Sequence, residues 1–140
     1  MRQGIGLLFL VALAAGCDPN EFHAVPVSGR VTLDDKPLPH AVVTFQPQAV
    51  SGVAANGPGS YGRTDADGRF SLRVATDDTP GAVVGKHIVT ISVAKPGTGD
   101  ALIATADDIL PAEIRNGRRE FTVPAAGTEA ADFALRSPRP

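Results

Sequence analysis

The chain has 140 residues, 43% hydrophobic and 20% charged, and its 13 Lys and Arg against 15 Asp and Glu leave a formal charge of −2. That length holds one ordinary domain and excludes a two-domain enzyme, and the near balance of charge, with no basic run, excludes nucleic acid as the expected partner. Fifteen Gly and twelve Pro suit many short strands and turns, one Cys rules out an internal disulfide framework, and the absence of Trp with a single Tyr leaves few aromatic anchors.

Arg2 is followed by Ile5 to Ala15, eleven residues without a polar side chain. As a helix this run covers about 16 Å, roughly half of a ~30 Å hydrocarbon core, so it is too short for a permanent span. A basic residue, a short apolar run and small residues in that order predict a secretory signal over residues 1–16. Its end, Leu13-Ala14-Ala15-Gly16-Cys17, resembles a bacterial lipobox. The resemblance implies cleavage between Gly16 and Cys17 and lipidation of the Cys17 thiol, with the membrane as partner through that lipid. A lone cysteine in an exported chain has no other partner, and two or three acyl chains at about 0.8 kcal/mol per buried methylene hold without release. Residues 17–24 then form a polar, turn-rich tether: the seven residues from Asp18 to Ala24 reach at most about 25 Å from the lipid.

From Val25 the pattern changes to period two, with Val25, Val27, Gly29, Val31 and Leu33 on one face and Ser28, Arg30 and Thr32 on the other. Asp34-Asp35-Lys36-Pro37 reads as a turn, after which Ala41, Val43 and Phe45 alternate with polar or mixed positions up to Pro47, giving a hairpin. Gln48 to Ser60 is small and glycine-rich and reads as an exposed loop. Tyr61 to Thr64 leads into Asp65-Ala66-Asp67-Gly68 and then Phe70, Leu72 and Val74 alternating with Arg69, Ser71 and Arg73, a second hairpin with a basic, wet outer face. The β-branched run Ile88 to Val93 predicts a central strand. Lys95 to Ala106 is a second loop, and Asp107 to Ile114 allows one helical turn that Pro111 keeps short. Phe121 with Val123, and Ala131 with Phe133 and Leu135, predict two last strands, and residues 138–140 a disordered end. About seven strands without a long helical period predict an all-β chain folded as a single antiparallel β-sandwich over residues 25–137.

Three segments carry a family resemblance. They are Val27-Ser28-Gly29-Arg30-Val31 through Lys36-Pro37-Leu38 to Ala41-Val42-Val43; Thr64-Asp65-Ala66-Asp67-Gly68-Arg69-Phe70; and Pro80-Gly81 with Gly85-Lys86-His87-Ile88-Val89-Thr90-Ile91. Together they resemble the carboxypeptidase regulatory-like domain, a transthyretin-like sandwich found in exported bacterial proteins and small lipoproteins. Asp35 stands where the family's turn usually has glycine, His40 where a small residue is common, and His87 where an aromatic is typical. The resemblance implies a packing framework and no activity.

The chemistry-bearing residues converge on no enzyme. His23, His40 and His87 have no ligand-like spacing, so no metal is expected. Asp65, Asp67, Asp77 and Asp78 suggest a calcium loop, but an EF-hand counted from Asp65 places Phe70 where glycine is needed and Thr76 where the bidentate acid is needed. A turn with aspartates capping backbone N–H groups accounts for them better. Glu113 with Asp107 and Asp108 lacks a sugar platform, and Arg115, Arg118 and Arg119 read as a solvated turn. The expectation is a non-enzymatic, lipid-anchored protein of the bacterial cell envelope, on its periplasmic or extracellular face, with a structural, adhesion or assembly role and no cofactor. The alternative is an envelope module that binds peptidoglycan or an exported polysaccharide through the Gln48–Ser60 and Lys95–Ala106 loops.

Overall fold

A computed structural model of the chain describes residues 22–49, 57–93 and 109–139. The signal segment, its cleavage site at Gly16 and Cys17, most of the tether, most of the Gln48–Ser60 loop and all of Lys95–Ala106 lie outside the described residues. Within them the regular structure is almost all strand, about half of the residues: β1 (Ala24–Val25), β2 (Ser28–Leu33), β3 (Lys36–Pro37), β4 (Ala41–Pro47), β5 (Ser60–Arg63), β6 (Arg69–Ser71), β7 (Arg73–Val74), β8 (Ala82–Val83), β9 (Gly85–Val93), β10 (Arg119–Val123) and β11 (Phe133–Leu135). One helical turn, α1 (Ala112–Arg115), starts immediately after Pro111, where the missing proline N–H costs a helix nothing.

The larger sheet runs β10-β9-β4-β5-β7, antiparallel throughout, with the β-branched strand β9 between β4 and β10. The smaller runs β11-β2-β3, with β6 also paired to β2, and β1 with β8 forms a separate two-stranded ribbon. Alternation along the strands decides which side chains turn inward: Ala41, Val43 and Phe45 of β4 and Val89 and Ile91 of β9 are all essentially inaccessible. Val31, Phe70 and Phe133 of the smaller sheet join them in one apolar cluster. Aromatic rings link the two sheets, with Phe133 centred 6.1 Å from Phe45 and 6.0 Å from Phe121, while Phe70 lies 6.4 Å away on its own sheet. Burying each such ring contributes about 1.5–3 kcal/mol. Leu110 and Ile114, fully buried on either side of Pro111, carry α1 onto β9 and extend the same cluster.

Three expectations need correction. Eleven strands replace about seven: the Val25–Leu33 run breaks at Pro26 and the Phe70–Val74 run breaks at Leu72 without disturbing the period of two, and two short strands, β3 and β8, form where no strand was expected. Neither predicted hairpin closes as expected. β2 turns back only onto β3, through Asp34 and Asp35 at φ 50° and 65°, and the chain then crosses at His40 (φ 57°) to place β4 in the larger sheet. After the Asp65–Gly68 turn, β6 pairs with β2 in the smaller sheet and only β7 returns to β5. The sheets are also not wholly antiparallel: β11 lies parallel to β2, Phe133 opposite Val31 and Leu135 opposite Leu33. About a hundred residues separate those strands, so no tight turn forces their directions to oppose.

Candidate functional site

The polar residues that looked chemically interesting in the sequence are largely engaged with the backbone. Thr64 is buried where the chain changes sheets; its hydroxyl donates to the Leu38 carbonyl at 2.6 Å and accepts the Ala41 N–H at 2.8 Å, tying both ends of the crossover. Asp65 accepts the N–H groups of Asp67 and Arg69 on one carboxylate oxygen, at 2.9 and 3.0 Å, and Gly68 closes that turn at φ 74°. Asp77 accepts the Thr79 N–H, which lowers its pKa, and Asp78 pairs with Arg73 at 3.1 Å. In the first turn Asp34 and Asp35 clasp the far end of the chain. Ser137 donates its hydroxyl and its N–H to Asp34, lowering that carboxyl's pKa, and Arg136 grips Asp35 in a two-pronged pair at 2.6 and 2.9 Å. Aspartate tolerates positive φ, so Asp35 holds this turn at φ 65° and gains a partner that glycine could not.

The histidines stay apart. His23 and His40 are exposed, whereas His87 is only 1% exposed because its place in β9 turns it inward against Phe45, 5.6 Å between ring centres. Its Nδ1 lies 3.0 Å from the Gly85 carbonyl, which can only accept, so Nδ1 carries the proton and Nε2 is left bare, with no partner among the described residues. Among the described residues no group of three His, Cys, Asp or Glu side chains is arranged to hold a metal. Glu113 stands exposed on α1, its proposed companions Asp107 and Asp108 outside the described residues, and Arg115 donates to the Leu110 carbonyl at 3.1 Å.

A different set of residues is brought together at the corner where β6 leaves β5 for β2. An open basin of about 790 Å³ lies there, and Arg30 of β2, Arg69 of β6 and Arg63 of β5 line it. Hydrogen bonds from Val31 N–H to the Gly68 carbonyl (2.8 Å) and from Leu72 N–H to the Val27 carbonyl (2.9 Å) fix which cross-strand pairs are bonded. The intervening pairs, Ser28 with Ser71 and Arg30 with Arg69, are therefore the non-bonded kind, with Cα atoms about 4.5 Å apart. Two arginines thus stand directly opposite, an arrangement that destabilises a sheet. None of Arg30, Arg63 and Arg69 forms an ion pair among the described residues; Arg30 Nε donates to the Asp67 carbonyl at 2.9 Å, leaving its terminal nitrogens free of that bond. Asp65, Glu129 and Asp132 edge the basin, Asp132 accepting the Arg30 N–H. Gly29 makes the corner possible, since a Cβ there would collide with the Ala131 carbonyl.

Tyr61, two residues before Arg63 and on the same face of β5, is 47% exposed. The sequence signal for this site was the basic outer face of Arg69 and Arg73; the contributions of Arg30 and Arg63 depend on pairings that no local pattern reveals. No family model matches the chain, and no curated protein or solved structure is similar to it.

Proposed function

We propose that the protein is a non-enzymatic, lipid-anchored module of the bacterial cell envelope, a single β-sandwich of the carboxypeptidase regulatory-like, transthyretin-like kind with a structural, adhesion or assembly role. One observation carries this reading. β1 begins at Ala24, and Val25 is already in the core, only eight residues beyond the lipobox cysteine. A body rooted that close to Cys17 has its near end held within about 25 Å of the acyl chains, on the periplasmic or extracellular face. The use of Thr64, Asp65 and the Asp34–Asp35 pair to hold turns and crossovers agrees with a framework role.

Labelling of cells with a palmitate analogue tests the anchor. The chain is expected to take up label and sediment with membranes, and Cys17→Ser to abolish both; an unlabelled chain whose Cys17→Ser form matures normally refutes the anchor. The arginine basin favours a second reading, a module that binds an envelope or exported polysaccharide.

A further inference from the structure

We propose that the corner basin is a binding site for an acidic polysaccharide, with Arg30, Arg63 and Arg69 taking the carboxylates of uronate sugars and Tyr61 offering its ring face to an adjoining sugar. The proposal gives a substrate class to the polysaccharide-binding reading and rests on it only for where the polymer is met; the geometry stands without the anchor.

The first argument is the opposed arginine pair. Arg30 and Arg69 face each other across a non-bonded register position, and neither is relieved by a carboxylate ion pair among the described residues. A bound carboxylate bridging the two guanidinium groups converts that repulsion into two charge-assisted hydrogen bonds of the geometry arginine matches best. The second argument is what stands beside them. Ser28 and Ser71 occupy the next pair on the same face and offer hydroxyl partners, as sugar hydroxyls require. Arg63 adds a third cation from β5, and Tyr61 shares its strand face. Tyr61 lies outside the basin's lining, one exposed position along β5 from Arg63, where an aromatic face suits the apolar side of a sugar adjoining the one whose acid the arginines take.

The third argument selects among anions. Asp65, Glu129 and Asp132 edge the basin, so three acids accompany three arginines. Closely packed anionic head groups of a bilayer would meet those carboxylates as well as the cations. A polymer bearing one acid per sugar threads between them. The basin is open and not enclosed, which fits a chain lying across it and not a small molecule sealed within.

The test uses the protein as isolated from cells, kept in detergent and electrophoresed through native gels containing polygalacturonate or neutral dextran. Retardation by polygalacturonate alone is expected. An Arg63→Gln/Arg69→Gln variant is expected to weaken binding about a hundredfold, tenfold for each lost charged contact, and Tyr61→Ala severalfold. Arg63 and Arg69 are exposed and Tyr61 is half-exposed; unchanged unfolding midpoints confirm that the variants fold. Equal retardation in neutral dextran, no retardation at all, or an unaltered double variant overturns the proposal. So does binding to phosphatidylglycerol vesicles that the double variant loses while polygalacturonate has no effect, which would assign the basin to lipid head groups. Palmitate labelling is independent of every one of these outcomes, so failure here leaves the anchor standing.

Discussion

Replacing His87 with Phe should stabilise the protein in acid far more than at alkaline pH. The side chain is 1% exposed, its Nδ1–H is bonded to the Gly85 carbonyl, and its Nε2 is buried with no partner among the described residues. Burial lowers its pKa below the ordinary 6.5, the bond to Gly85 opposing the effect in part. Protonation would place a second N–H and a positive charge among Phe45 and its neighbours. The direction of the pH effect follows. Well above pH 6.5, as at pH 8, the ring is neutral in both the folded and the unfolded chain and adds no dependence. As pH falls below 6.5 the unfolded chain takes up a proton that the folded chain resists, so stability declines by up to about 1.4 kcal/mol per pH unit until the folded ring also protonates. At pH 5 the accumulated loss is bounded at about 2 kcal/mol.

His87→Phe removes this dependence together with the bare acceptor, whose burial costs about 1–3 kcal/mol, and forfeits one hydrogen bond worth about 1 kcal/mol. Near pH 8 these oppose each other, and the variant should lie within about 1 kcal/mol of the parent; by pH 5 it should have gained up to about 2 kcal/mol relative to it. Urea unfolding of both proteins at pH 5, 6.5 and 8 measures the difference, and titration of other groups cancels between them. Asp34 and Asp77, whose carboxyl pKa values are lowered, act only below about pH 4. A stability difference that is the same at pH 5 and pH 8 would refute the reasoning.

Thr64→Val keeps the side chain's shape but leaves the buried Ala41 N–H without its 2.8 Å acceptor and the Leu38 carbonyl without its 2.6 Å donor. A loss of roughly 2–4 kcal/mol in urea unfolding is expected, and a change under about 0.5 kcal/mol would mean that the crossover does not depend on this hydroxyl. Gly29→Ala forces a Cβ into the Ala131 carbonyl, so the segment leading to β11 must part from β2. Destabilisation of about 1–3 kcal/mol is expected, with hydrogen exchange rising first at the Ala131 N–H, which bonds the Ser28 carbonyl at 3.0 Å; uniform protection would contradict it.

What could be read from the sequence were the faces of the strands. Val43, Phe45, Phe70, Leu72 and Phe133 lie inward as their alternation requires, and the turn glycine at position 68 has the positive φ its place demanded. A period of two reports which side of a strand is buried and nothing about which strand lies next to it. Phe70, Leu72 and Val74 keep one unbroken rhythm while β6 belongs to one sheet and β7 to the other. The same limit hid the parallel partnership of β2 with β11, since both strands would show an identical pattern in either direction.

The arginine basin was illegible for a related reason. Arg69 reads as a solvated outer residue of a hairpin when β6 is assumed to pair with β5. Once β6 pairs with β2, the same side chain stands opposite Arg30, and the turn that releases β6 leaves Arg63 of β5 at the rim of the same opening. The change of sheet at Leu72 is therefore what creates both the concavity and its charge. A strand that remained in the larger sheet would spread these arginines along a continuous surface, whereas the break draws three of them around one hollow beside Ser28 and Ser71. Gly29, by admitting the Ala131 carbonyl, lets the acidic segment carrying Glu129 and Asp132 close the far side. The corner that makes the fold harder to infer is thus the same feature that supplies its most distinctive surface.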